Sequence, residues 1–204
     1  MNFQNQDTNH INLTVALPAE AKTLRKTFGL IRRQPVESMP IYTGNGIHLC
    51  VTGPGTSAAS IGVQLLNSIT PAGVRTLWLN SGICGHGSLP VGESLLVDRV
   101  IDQERDRSWS LQTRLPIAMI TGPLSCVQTP ASEYQQDMAY DMESAGFIES
   151  VNTIDGTESI TIIKIVSDNP DQPSRGISTK LIHDLFEKQI NLIRDLVVQL
   201  QHHA

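Results

Sequence analysis

Cysteine is scarce in this chain: Cys50, Cys84 and Cys126 are the three it has, far apart and with no C-x-x-C spacing. Such a distribution suggests neither a disulfide framework nor a zinc site, and it fits a reducing compartment. A lysine/arginine block is also missing, and 15 Lys+Arg against 20 Asp+Glu leave a net charge of -5. Nothing here would neutralise a run of phosphates, so nucleic acid is not an expected partner. No run of about 18 apolar residues occurs, which argues against a membrane partner. Met1 to His10 is polar and carries no basic leader, so a cytoplasmic location is expected. The G-x-S-x-G elbow, the H-E-x-x-H zinc signature and the Walker-type loop are absent as well.

What is present is the composition of a globular protein: 204 residues, 40% hydrophobic and 17% charged, enough to bury a sizeable core in one domain. The expected division is a polar tail over 1–12 and a single domain over 13–204. Leu13 to Leu17 is an apolar run too short for a helix and reads as a buried strand. Pro18 suits a first helical position, Ala19 to Phe28 is rich in helix formers, and Gly29 offers a stop. Pro40 to Tyr42 and Ile47 to Thr52, joined by Gly44-Asn45-Gly46, predict a hairpin, because Asn-Gly supplies the positive φ values of a tight turn.

Further along, Thr56 to Ile69 has a helical pattern, and Leu77 to Leu79 reads as a strand entering a glycine-rich loop, Ser81 to Gly87. Strands are expected at Ser94 to Ile101, Pro116 to Ile120 and Ile160 to Val166, with loops from Asp102 to Arg114 and from Ser125 to Tyr134. Met142 to Val151 predicts a helix, and the apolar spacing from Leu181 to Leu200 predicts an amphipathic closing helix. Strands alternating with helices imply an α/β fold, and the early hairpin makes the central sheet mixed. In such sheets ligands bind beyond the strand ends. That rule directs attention to the loops near Glu20, Gly53, Gly82, Cys126, Glu143 and Asp168.

Each candidate has a purely structural alternative. Gly53-Pro54-Gly55-Thr56-Ser57-Ala58 fits a G-x-G-x-x-A dinucleotide pattern, but no acid lies about 20 residues on to hold a ribose. A plain turn or a small anion or sugar pocket remains open there. Asn80 to Gly87 would let the backbone approach a ligand, or form a tight turn. Cys84 and His86 have no supporting ligands, so no metal is expected. Glu20, in a first helical turn, could serve as a general base or simply favour the helix dipole. Asp141 could cap a helix. Asp168 ends a β-branched strand, where α/β enzymes place catalytic groups, or bonds its own backbone in a turn.

Taken in order, Ala16-Leu17-Pro18-Ala19-Glu20, Asn80-Ser81-Gly82-Ile83-Cys84-Gly85, Leu89-Pro90-Val91-Gly92-Glu93-Ser94, Asp141-Met142-Glu143-Ser144-Ala145 and Ile165-Val166-Ser167-Asp168-Asn169 resemble the nucleoside phosphorylase/nucleosidase superfamily. Within it the motifs are most similar to the methylthioadenosine/S-adenosylhomocysteine nucleosidase branch. The resemblance implies cleavage of the N-glycosidic bond of a purine-type nucleoside without a cofactor. It assigns Asp168 to the acid that protonates or hydrogen-bonds N7, Glu143 to the ribose hydroxyls with Met142 packing on the sugar, and Glu20 to the attacking water. It places Gly82, Ile83, Cys84, Cys126, Val127 and Ser167 in the base and pocket loops, and it implies a homo-oligomer, most simply a dimer.

Phosphorylases of the superfamily carry cationic groups for their co-substrate phosphate, where this chain has Leu17-Pro18-Ala19-Glu20 and Asn80. A carboxylate would repel phosphate, so the resemblance favours hydrolysis. Phosphorolysis and non-catalytic binding of a nucleoside or nucleobase are the alternatives. Three departures stand out: Ile83 replaces a frequent serine, the segment from Asp102 to Ala139 is short, and Ser125-Cys126-Val127-Gln128 lacks the usual aromatic.

Overall fold

The apolar run at Leu13 forms the second half of a strand, β1 (His10–Val15), and Pro18 opens the first helix, α1 (Pro18–Phe28). The computed structural model describes residues 9–34, 38–112, 118–131, 133–135, 137–173 and 177–203. Strand β1 begins inside the stretch read as a polar tail, because Asn9, His10 and Asn12 are buried despite their polarity. Helix α1 ends as its sequence predicts, on Gly29 in the left-handed conformation. A short β2 (Ile31–Arg32) follows, then the expected hairpin of β3 (Ile41–Gly44) and β4 (Ile47–Val51), whose turn has φ of 51° at Asn45 and 71° at Gly46. Helix α2 (Thr56–Ile69) has its predicted bounds.

The next strand departs from expectation. β5 runs from Thr76 to His86, straight through the residues read as a glycine-rich loop. Its glycines serve close approach within a strand, not a turn: β5 is flanked by β1 and by β10 (Thr157–Asp168), both parallel to it. β6 (Ser94–Asp102) then turns back into β7 (Arg107–Ser110), a hairpin hidden in a charged stretch read as loop. Asp102 Oδ1 accepts the amides of Glu104 and Arg105 and so shapes that turn. The strand expected at Pro116–Ile120 instead starts at Ile120 and continues as β8 (Ile120–Cys126), taking Ser125 and Cys126 out of the expected loop. Pro116 itself lies outside the described residues. Pro123 is tolerated in β8 because β6 bulges opposite it, between Val97 and Arg99. A short β9 (Ala139–Asp141) leads into α3 (Ser144–Val151), and α4 (Thr179–His203) closes the chain.

Among the described residues the ten strands form one mixed sheet, and five of them close on themselves in the order β5, β10, β6, β8, β9 and back to β5. From β5 the sheet continues through β1, β4, β3 and β2. One apolar cluster packs Ile11, Leu13, Leu49 and Leu79 under α1 and α4; a second packs Trp78, Ile162 and Val166 with α2 and α3. The single-domain α/β fold with a mixed sheet between helices is therefore the one expected. Helix α2 crosses α3 so closely that a Cβ on Gly146 would lie 2.0 Å from the Thr56 carbonyl oxygen. That contact brings the start of α2 to the end of β9, where the site lies.

Candidate active site

The C-terminal ends of β1, β5 and β10, with the residues just after β9, surround a cavity of about 240 Å³. Glu20, Asp141, Met142, Glu143, Ser167 and Asp168 line it together with an apolar wall that includes Leu17, Ile83, Val127 and Ile182.

Glu20 reaches the cavity because α1 starts immediately after β1. Its Oε2 accepts the backbone N–H of Leu17 at 2.8 Å and its Oε1 that of Ile83 at 3.0 Å. The first bond secures the helix start, and the second ties the carboxylate to β5. Burial pushes its carboxyl up to about 7; the two backbone bonds and Lys164 oppose the shift, and Glu143 adds to it. Glu20 therefore changes charge near neutral pH, where a general base works best.

Glu143 accepts the N–H of Gly55 at 3.0 Å through Oε1 and that of Met142 at 3.3 Å through Oε2. The Gly53-Pro54-Gly55 turn thus acts as a support for this carboxylate. Burial and Asp141 raise the Glu143 carboxyl above its ordinary value, against the pull of Lys164. Asp141 carries more than the cap foreseen for it: it accepts the Ser144 amide and also pairs with Lys164 Nζ at 2.7 Å, fully buried. Lys164 further donates to Asn80 Oδ1 at 2.6 Å, and Asn80 donates to Thr14 Oγ1 at 3.0 Å. Burial alone would lower the Lys164 ammonium, but Asp141, Glu143 and Glu20 outweigh it and hold it above the usual lysine value. A Cβ on Gly82 would sit 3.3 Å from Glu20 Oε1 and 3.5 Å from Lys164 Nζ, so this glycine makes room for both.

Asp168 stands at the tip of β10. Ser167 Oγ donates to its Oδ1 at 2.5 Å, and the Tyr134 hydroxyl donates to its Oδ2. Of the residues singled out in the sequence, Glu20, Ile83, Cys84, Val127, Met142, Glu143, Ser167 and Asp168 meet at the cavity, whereas Gly82 and Cys126 stand behind its wall. Cys126 is buried in the second apolar cluster and burial pushes its thiol far up, as it does for Cys84. Sequence reasoning missed Lys164, Tyr134 and Tyr140; the last two bring aromatic rings to the cavity from outside Ser125-Cys126-Val127-Gln128, which itself has none. Among the described residues no group of three or more His, Cys, Asp or Glu side chains could hold a metal ion, and no helix is long and apolar enough to cross a membrane.

The closed five-strand sheet with its lateral extension is a fold this chain shares with solved nucleosidase structures. Solved structures share it over nearly the whole chain. The 5′-methylthioadenosine nucleosidase of Arabidopsis thaliana in its apo form is 16% identical, with a TM-score of 0.75 over 98% of this chain and 98% of that one. A 5′-methylthioadenosine/S-adenosylhomocysteine nucleosidase of Helicobacter pylori, bound to butyl-thio-DADMe-Immucillin-A, is 14% identical with a TM-score of 0.75 over 94% and 99%. The futalosine hydrolase of the same organism is 14% identical, with a TM-score of 0.75 over 94% and 98%. By sequence, no protein-family model and no curated protein matches the chain.

Proposed function

We propose that this protein is a nucleosidase, hydrolysing the N-glycosidic bond of a purine-type nucleoside without a cofactor. The observation that carries the reading is Glu20, a buried carboxyl poised near pH 7 at the cavity. The structural neighbours include a 5′-methylthioadenosine nucleosidase and a futalosine hydrolase, which supports the same reaction class. In the proposed step Glu20 takes a proton from a water whose oxygen bonds to C1′. The C1′–N9 pair leaves with the base, which gains a proton at N7 through Asp168. Glu143 holds the ribose hydroxyls, Met142 packs on the sugar, and the paired carboxylates favour the positive charge that develops on it.

Hydrolysis is preferred to phosphorolysis on electrostatic grounds. The cavity wall presents Glu20, Asp141, Glu143 and Asp168 and, among the described residues, neither arginine nor lysine. An incoming phosphate would meet carboxylates first. The apolar wall, with Leu17, Ile83 and Ile182, suits an uncharged substituent on the sugar. A homodimer in a reducing cytoplasm completes the proposal; the three cysteines are free and buried, which suits that compartment.

Product analysis with methylthioadenosine and adenosine, with and without phosphate, tests the reading. Free base plus free sugar without phosphate is the expected result. Asp168→Asn should lower turnover by about 10²–10⁴-fold while keeping ligand binding; unchanged turnover removes Asp168 as the acid. Sugar 1-phosphate formed only with phosphate makes the protein a phosphorylase, and binding without cleavage makes it a nucleobase-binding protein.

A further inference from the structure

Tyr134 is bonded to the same carboxylate that the proposed reaction gives to the nucleobase. Its hydroxyl donates to Asp168 Oδ2, the nearer of two acceptors, the other being the Ala131 carbonyl oxygen at 3.2 Å, while Ser167 already serves Oδ1. Its ring lies against Gly85 of β5, where a Cβ would come 2.5 Å from Tyr134 Cε1 and 3.0 Å from Asp168 Oδ2. Only glycine at that position leaves space for the ring and the carboxylate together. Tyr140 contacts the ring edge-on at 5.6 Å between centroids and accepts the Gln135 amide through its own hydroxyl, at 3.0 Å. The phenol is therefore seated from two sides with its O–H aimed at the reacting group.

An oxygen that accepts a well-placed phenol O–H is not open to a second donor in the same direction. The base of an intact nucleoside presents N7 as an acceptor only. After cleavage the neutral base carries N7–H, a donor of the same kind as the phenol. We propose that Tyr134 is a positioning residue that competes with the released nucleobase for Asp168 Oδ2, and so sets how tightly the free base is retained. The proposal rests on the nucleosidase reading for the identity of the competitor. Its physical content is that the O–H stabilises the base-free protein, and whatever stabilises the base-free state lowers apparent affinity for the base by the same factor.

The test uses adenine as the probe, with binding measured by calorimetry and product inhibition measured during methylthioadenosine cleavage. Tyr134→Phe keeps the ring against Gly85 and Tyr140 and removes the hydroxyl, with its bonds to Asp168 and Ala131. It should bind adenine about tenfold tighter, equivalent to ~1.4 kcal/mol, and show correspondingly stronger product inhibition, with a much smaller change in KM for the nucleoside. In an Asp168→Asn background, Tyr134→Phe should give no such gain, because the contested carboxylate is gone. Unchanged or weaker adenine binding by Tyr134→Phe overturns the inference, and so does a gain that persists with Asn at 168. If wild type cleaves the nucleoside and Tyr134→Phe gains nothing, the inference alone fails. If neither protein binds adenine or cleaves a nucleoside, the functional reading fails and takes the inference with it.

Discussion

Two clusters of wholly or partly buried titratable side chains lie against the same sheet, and the protein treats them in opposite ways. At the C-terminal strand ends, Glu20, Glu143 and Asp141 surround Lys164, and every carboxylate accepts at least one backbone N–H. Towards the other end of the sheet, the rings of His10 and His48 meet edge-on at 4.2 Å, and among the described residues the buried His10 Nε2 and His48 Nδ1 find no hydrogen-bond partner. Burial lowers both imidazoles; His48, which also feels His10 and Arg33, falls to about 4. The first cluster keeps charge inside the protein by pairing it, and the second keeps charge out by staying neutral. A buried ionisable group thus marks a candidate for chemistry only where donors and counter-charges have been assembled around it.

Removing the counter-charge should break this comparison most severely. Lys164→Met leaves Asp141 buried without its cation, and chemical denaturation should show a loss of about 3–5 kcal/mol, with turnover lost as well. Next in size, Glu143→Ala should weaken nucleoside binding by about 1.5–3 kcal/mol, the usual contribution of hydrogen bonds to a charged group, while free base binds nearly as before. Equal losses for the two ligands would remove Glu143 from the ribose.

Glu20 allows a test by pH alone. Its folded value of about 7 lies above its ordinary 4.5, so its contribution to stability is fully present below pH 4.5 and is lost as pH rises through 7. Between pH 4 and pH 8 the stability difference should therefore move in favour of Glu20→Gln, by on the order of 1–3 kcal/mol. A pH-independent difference would show that Glu20 is not held protonated by burial. The smallest effect is expected at the imidazoles, whose shifts have the opposite sign. Their contribution is present above pH 6.5 and is lost as pH falls towards 4. Wild-type thermal stability should decline over that range, and His48→Gln should flatten the decline.

The carboxylates at the cavity are legible in the sequence because each sits beside a strand end and a turn signal: Glu20 after Pro18, Asp141 and Glu143 before small residues, Asp168 before Asn169-Pro170. Their partners are not. Lys164 lies in the middle of the β-branched run from Ile160 to Val166, where strand periodicity has no means of announcing that a charge is buried and paired from elements 84 and 23 residues away at Asn80 and Asp141. The one available signal was the charge itself, standing in an otherwise apolar strand. Tyr134 sits outside any periodic element, so only the fold brings it to Asp168. Gly82, Gly85 and Gly87 predict a loop because glycine usually punctuates; in β5, Gly82 and Gly85 instead make way for side chains arriving from α1, from β10 and from Tyr134. β7 was hidden for the converse reason: a short, exposed strand needs no apolar face.

The most direct test of the central claim is the rate of methylthioadenosine cleavage against pH in phosphate-free buffer, with wild type and Glu20→Gln side by side. The account predicts release of free base and free sugar, with kcat/KM rising through about pH 7 as Glu20 loses its proton, and no such rise in Glu20→Gln. Cleavage that begins only when phosphate is added, or a rise through pH 7 that survives in Glu20→Gln, would contradict it.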